Sequence, residues 1–305
     1  MAERFIKHSD IDLWTESFGD SKNPAILLIM GIGGQGIIWP DRLCHVLADN
    51  GFFVIRYDSR DTGKSSSIDF SKNPYNLEDM AKDAIAVLDA YGIEKATVVG
   101  ASMGGAIAQL LAAEYPLRVS HLVLIMSTPD LGVIVLAVIP MLFRALARFF
   151  LKLGPKRFDV PQPQKDVVHF FRSQIFFPLK SRKARLEAAL NGLRIFSGGG
   201  IFDEQEFKEL EERAMSRSDN KQGYVNHAKA ILRSLKNGVD FHQIVQPTLI
   251  IHGQLDPVFA PEHGKALAKE IPQARIEIIP NMGHIIPEAM SERLAGLIAH
   301  HSKGS

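Results

Sequence analysis

Six short, largely apolar runs recur along the chain: Ala25 to Met30, Phe52 to Tyr57, Ala96 to Gly100, Leu122 to Met126, Thr248 to His252 and Ile276 to Ile279. Their lack of a polar face predicts strands covered on both sides, as in a parallel sheet sandwiched by helices. The intervening sequence supplies the helices. Asn76 precedes a run with apolar residues at Leu77, Met80, Ala81, Ala84, Ile85, Val87 and Leu88, the spacing of an amphipathic helix with an asparagine cap, ended at Gly92. Strands alternating with helices imply right-handed crossovers and an α/β fold, mostly parallel. The stretches Arg4 to His8 and Ile11 to Phe18 are expected to add an antiparallel edge.

From about Pro129 to Val239 this rhythm stops. The chain reads there as helices punctuated by Gly154 and Pro155, by Pro161 and Pro163, and by Gly198 to Gly200. The expected organisation is a catalytic core of residues 1–128 and 240–305, with residues 129–239 inserted as a helical cap. A chain of 305 residues with 46% hydrophobic content suffices for one such core plus insertion.

The sharpest chemical signal is Gly100-Ala101-Ser102-Met103-Gly104, which follows one apolar run and precedes the helix-forming Ala106 to Glu114. Strand, tight turn and helix are the context of a nucleophile elbow, where small residues let a strained turn pass close to its neighbours and lift the serine above the sheet. A neutral hydroxyl is a weak nucleophile, so it requires a base and a third group that holds the base's tautomer. Asp256 follows the run Leu249 to Gly253, and His284 follows the run Ile276 to Ile279, so both belong to loops at strand carboxyl ends, where such sheets bind ligands. The chain order Ser102, Asp256, His284 matches this arrangement. Of the eleven histidines, His8, His45, His169, His227, His242, His300 and His301 lack such a position and read as surface or packing residues. His252 and His263 lie near the acid, in a strand end and a helix. Asp130, just beyond Leu122 to Met126, is an alternative acid.

Acyl transfer also needs donors for the developing oxyanion. Gly31, Gly33 and Gly34 follow the first run, and the backbone amides of Ile32 and Met103 are the expected pair. The glycines lack the regular G-x-G-x-x-G spacing and an acidic ribose partner, so no nucleotide cofactor is expected. No spaced His, Glu or Asp ligand set suggests a catalytic metal. The turn-rich stretch Asp58 to Ser65 is expected to shape the floor of the site.

Taken together, LLIMGIGGQGIIWPDRL, VIRYDSRDTGKSSSIDF, VVGASMGGAIAQ, and HGQLDPVFAPEHGKAL through NMGHIIPE resemble the α/β-hydrolase family, and within it the aclacinomycin methylesterase subgroup. The resemblance implies an α/β-hydrolase fold, a triad of Ser102, Asp256 and His284, an oxyanion hole from Ile32 and Met103, and a cap over the pocket. Met30 stands where many relatives carry histidine, and Ile32 is bulkier than glycine, which narrows the pocket near the acyl group. The cap matches weakly, so the substrate does not transfer with the triad.

Leu131 to Phe143 carries no charge, and Arg144, Arg148 and Lys152 then recur on one helical face beside Leu146, Phe149, Phe150 and Leu153. The charge-free part falls short of the roughly 20 residues that span a bilayer, and Pro140 interrupts it. The expectation is a cap face over a greasy substrate, with contact of segment 131–153 with a membrane surface as the alternative. Lys plus Arg total 35 against 34 Asp plus Glu, which leaves no global field for nucleic acid. The single cysteine, Cys44, excludes an internal disulfide, and MAERFIKHSDIDLW lacks the apolar core of a secretory signal. A cytoplasmic serine esterase for a small apolar ester is the resulting expectation. The alternatives are a cofactor-free perhydrolase, a carbon-carbon bond hydrolase, or a small-molecule receptor that keeps the triad.

Overall fold

The computed structural model describes residues 2–138, 158–176, 181–218, 220 and 222–304. The strands are β1 (Ala2–His8), β2 (Ile11–Phe18), β3 (Ala25–Ile29), β4 (Phe53–Tyr57), β5 (Ala96–Ala101), β6 (Val119–Ile125), β7 (Thr248–Gly253) and β8 (Arg275–Ile279). They form one sheet in the order β1-β2-β4-β3-β5-β6-β7-β8. β1 and β2 pair antiparallel, as do β2 and β4, and every later pair is parallel. The six apolar runs and the antiparallel edge are therefore where the sequence patterns put them.

Three helices follow the early strands: α1 (Asp41–Asp49), α2 (Leu77–Ala90) and α3 (Met103–Glu114). At the start of α2 the Asn76 side chain accepts the Asp79 amide at 3.0 Å, while the Asp79 carboxylate accepts the Asn76 amide at 3.1 Å. This capping box satisfies two amide donors that the first turn would leave without partners.

The period of two in the strands sorts side chains to opposite faces. In β3, Leu27 and Ile29 pack with Ala81, Ala84, Ile107 and Leu111 of α2 and α3. Ile26 and Leu28 face the other way, toward Leu43, Cys44 and Leu47 of α1 and toward Leu294, Ala295 and Ile298 near the carboxyl end of the chain. Each such buried aliphatic side chain contributes about 1.5–3 kcal/mol by leaving water. Burial in this layer pushes the Cys44 thiol up to about 12, so it carries no reactive thiolate.

Between β6 and β7 the described residues form helices and no strand: α4 (Gly132–Val138), α5 (Lys165–Phe176), α6 (Arg182–Phe196), α7 (Glu204–Arg217) and α8 (Gly223–Ser234). The basic stripe Arg144, Arg148 and Lys152, with Phe149 and Phe150, lies outside the described residues. Among those described, no helix is long and apolar enough to cross a membrane. The chain closes with α9 (Pro261–Glu270) and α10 (Ser291–Ser302).

Sheet order fixes where a site can form. From β3 the chain adds β4 on one side and then returns to add β5 on the other. Their connections leave in opposite directions and open a crevice at the carboxyl ends of β3 and β5. The glycines from Gly31 leave β3 there, and Ser102 leaves β5.

Candidate active site

Ser102 sits between β5 and α3 with φ +54°, a conformation that few non-glycine residues adopt. Such a residue costs of order 1–3 kcal/mol and persists only where its surroundings over-determine it. Here its amide donates to the Ile125 carbonyl at 3.0 Å, and its carbonyl accepts the Ser127 hydroxyl at 2.9 Å. The flanking glycines are steric requirements. A Cβ on Gly100 would run into the Gly104 backbone, and one on Gly104 would strike the Ile29 carbonyl. The turn is thus built by β5, α3 and the end of β3 pressing together.

His284 and Asp256 arrive on the loops that follow β8 and β7. The Nε2 of His284 lies 3.0 Å from the Ser102 hydroxyl oxygen, and its Nδ1 lies 2.7 Å from Asp256 Oδ2. A carboxylate only accepts, so Nδ1 carries the proton and donates, which leaves Nε2 to accept the proton of Ser102. The other carboxylate oxygen of Asp256 accepts the amides of Val258 and Phe259, each at 2.8 Å. These fix the acid in a buried position. Rings of Phe259 and Phe196 meet the imidazole edge-on at 5.4 and 6.2 Å between centroids.

Other candidates are engaged elsewhere. Asp130 accepts the Gly132 amide at 2.8 Å at the head of α4. His252 donates from Nε2 to the Phe259 carbonyl at 2.7 Å, and burial lowers its pKa. His263 lies between Thr128 Oγ1 at 2.8 Å and the Pro161 carbonyl at 3.1 Å, with burial pushing it down to about 4. Both stay neutral and pack behind the acid.

The glycine loop after β3 turns toward Ser102. Gly34 donates to the Gly31 carbonyl at 3.1 Å, and Gly31 comes so close to Ser102 that a Cβ there would lie 3.1 Å from the serine Cβ. Among the described residues the amides of Ile32 and Met103 make no hydrogen bond. The Met103 amide belongs to the first turn of α3, where donors have no partner within the helix.

Sequence reasoning missed how this loop is held. The Gly33 amide donates to His227 Nδ1 at 3.0 Å, and His227 Nε2 donates to the Arg60 carbonyl at 2.8 Å. His227 belongs to α8, is fully buried, and has its pKa lowered by that burial, so of the surface or packing places its sequence position suggested it takes the packed one, with two hydrogen bonds to loops of the core. Gln35 donates to the Ala214 carbonyl at 2.9 Å and accepts from Arg217 Nε at 2.9 Å. Arg217 also pairs with Asp58 at 2.5 Å, and Asp58 accepts the Gly36 amide at 2.7 Å. The stretch from Asp58 to Ser65 accordingly does not form the floor of the cavity. None of its residues lines the cavity; Asp58 ties the glycine loop to α7. No local signal could have found these partners, because each contact joins residues more than 150 positions apart, except Asp58 to Gly36.

Ser102 and His284 open into a cavity of about 360 Å³ whose walls are almost wholly apolar. Met30, Ile32 and Met103 come from the core side, and Phe171, Leu193, Phe196, Phe207, Leu210 and Tyr224 from the inserted helices. The Phe171 ring lies 5.5 Å from that of Phe196 and 5.7 Å from that of Tyr224. The helices between β6 and β7 also reach His284 directly, since its amide donates to the Phe196 carbonyl at 2.7 Å.

A sheet with this order, a serine on a strained turn after β5 and a family profile described as alpha/beta hydrolase fold over residues 24–288 agree, and the chain belongs to the α/β-hydrolase family. Along its whole length it is 34% identical to rhodomycin D methylesterase DnrP of Streptomyces peucetius, covering 99% of that protein. It is 35% identical to rhodomycin D methylesterase DauP of Streptomyces sp. strain C5, again over 100% of this chain and 99% of the relative. In three dimensions it is similar to an esterase from Exiguobacterium antarcticum, with a TM-score of 0.73, 21% identity, and coverage of 98% of this chain and 99% of the other.

Proposed function

We propose that the protein is a serine carboxylic-ester hydrolase that cleaves a methyl ester on a bulky apolar acid through an acyl-enzyme. The observation that carries this reading is the unbroken chain of contacts from Asp256 Oδ2 through His284 to the Ser102 hydroxyl, at 2.7 and 3.0 Å, in the wall of an apolar cavity. Full-length similarity to two methylesterases supports the ester class and the small alcohol.

In the mechanism, His284 takes the Ser102 proton as the oxygen attacks the ester carbonyl. The amides of Ile32 and Met103 receive the oxyanion, a contribution usually among the largest in acyl transfer. Asp256 stabilises the imidazolium and holds its tautomer without taking the proton. The imidazolium then protonates the leaving alkoxide, and the alcohol departs. Water, deprotonated by the same histidine, releases the acid and restores Ser102. The inserted helices serve as the cap: their aromatic side chains bind the acyl body and exclude bulk water, which strengthens the hydrogen bonds to the oxyanion.

The test is a panel of methyl, ethyl and p-nitrophenyl esters of aromatic and long-chain acids, with methanol release measured directly. The expected result is multiple turnovers favouring bulky apolar acids, lost by at least about 10⁴-fold in Ser102→Ala. Turnover retained by that variant, or tight binding with no product, would overturn the reading.

A further inference from the structure

β7 carries His252 into the layer behind Asp256, where its side chain is wholly buried. The Phe259 carbonyl accepts from Nε2 at 2.7 Å, so the proton of the neutral ring is on that nitrogen and Nδ1 is bare. Among the described residues Nδ1 has no hydrogen-bond partner. The ring also needs room from its neighbour, because a Cβ on Gly264 of α9 would lie 2.7 Å from Nδ1. Two unfavourable features therefore accompany this imidazole, a buried nitrogen without a partner and a glycine inside a helix. A side chain that only filled space would require neither.

The protonated nitrogen is what the arrangement gains. It lies 3.6 Å from Asp256 Oδ2, the same oxygen that accepts from His284 Nδ1 at 2.7 Å. That separation is too long for a hydrogen bond, yet the positive end of the N–H dipole faces the carboxylate in a site shielded from water. Phe259 closes the clamp from the other side. Its carbonyl is held by His252, its amide donates to Asp256 Oδ1 at 2.8 Å, and its ring meets His284 edge-on at 5.4 Å between centroids. One imidazole thus acts on both carboxylate oxygens, on Oδ2 through space and on Oδ1 through the Phe259 backbone. The nearby His263 is committed to Thr128 and Pro161 and offers Asp256 no donor.

We infer that His252 is a positioning residue for the reaction: through Phe259 and through its own N–H it fixes the Asp256 carboxylate in the orientation that His284 requires. It touches neither the substrate nor the reacting atoms. The inference rests on the triad reading above and deepens it, by naming what holds the acid.

The test is a double-mutant cycle read in kcat with a p-nitrophenyl ester, each rate being referred to the sites counted by a serine-directed phosphonate. His252→Leu should lower kcat about 10- to 100-fold with KM changed by no more than about threefold, because a displaced carboxylate misaligns the base without altering the cavity. In an Asp256→Asn background the same replacement should cost no more than about twofold, since the group it acts through is already gone. His252→Gln, whose amide ends near the place of Nε2, should recover most of the loss, and His252→Asn, whose amide ends short of it, should not. Where His252→Leu fails to fold, this pair carries the test, with kcat about tenfold higher for the Gln replacement than for the Asn replacement. Equal losses in both backgrounds, or equal kcat for the Gln and Asn replacements, would overturn the inference. Full activity of Asp256→Asn alone would instead remove the triad reading on which the inference rests.

Discussion

The turn that carries Ser102 and the inserted helices that face it are held by different kinds of force. The turn is fixed by backbone: two hydrogen bonds to β6 and its continuation, and glycines whose missing side chains let α3 lie against β3 and β5. The insertion is fixed by side chains reaching far along the chain: His227 to Gly33, Arg217 to Asp58 and Gln35, and the Phe196 carbonyl to the His284 amide. The difference teaches that Ser102 is positioned by the sheet and α3, whereas the glycine loop after β3 and His284 are also held by the helices between β6 and β7. Under the proposed mechanism these helices would therefore hold the site as well as line the cavity.

Perturbing each region should give a distinct signature. The largest effect is expected within the core. Asp256→Asn lets Nδ1 of His284 accept instead of donate, which presents the wrong tautomer to Ser102, so kcat should fall about 10³–10⁴-fold with the fold intact. Single-turnover kinetics with a p-nitrophenyl ester, alongside circular dichroism, measures this.

A smaller effect is expected across the divide. His227→Phe keeps the bulk of the ring but removes the acceptor for the Gly33 amide, so the loop carrying Ile32 loses one anchor. Loss of one oxyanion donor outright costs about 10²–10³-fold in kcat. Displacing it should cost less, about 10- to 100-fold, with KM changed by no more than about threefold. A change in KM alone would show that the insertion only binds substrate, and would collapse the distinction drawn here.

The smallest effect concerns stability. The Glu211 carboxyl sits at about 7 in the folded protein against an ordinary 4.5, so the native state holds its proton over that interval while the unfolded chain releases it. Stability conferred by this group is then present below pH 4.5 and lost as pH rises through 7. Glu211→Gln should accordingly melt at the same temperature as wild type near pH 4.5 and somewhat higher at pH 8, as read by calorimetry across that range. A difference that is constant with pH would mean that the carboxyl titrates normally.

The two regions also differed in how much of them the sequence disclosed. Apolar runs without a polar face announced a sheet buried on both sides, and Gly100 to Gly104 between a strand and a helix announced the turn, because both signals are local. Asp256 and His284 were legible from strand ends and chain order, and Asp256 contacts His284, which contacts Ser102. His227 was read only as a surface or packing residue because its partners, Gly33 and Arg60, lie 194 and 167 positions away and no periodicity connects them. Asp58 was assigned to the cavity floor on turn composition alone, which cannot tell a side chain facing a cavity from one facing a loop. Glu211 was invisible for a related reason. On the helix that carries it, glutamates abound, and only packing distinguishes the one that faces the cavity.

The most direct test of the account is to trap the nucleophile. The protein is incubated with a serine-directed alkyl phosphonate, and the site of modification is mapped by peptide mass spectrometry in wild type, Ser102→Ala and His284→Ala. The account predicts stoichiometric labelling on Ser102 with parallel loss of esterase activity, no label in the first variant and much slower labelling in the second. Labelling at another residue with full loss of activity, or ester turnover that survives modification of Ser102, would contradict it.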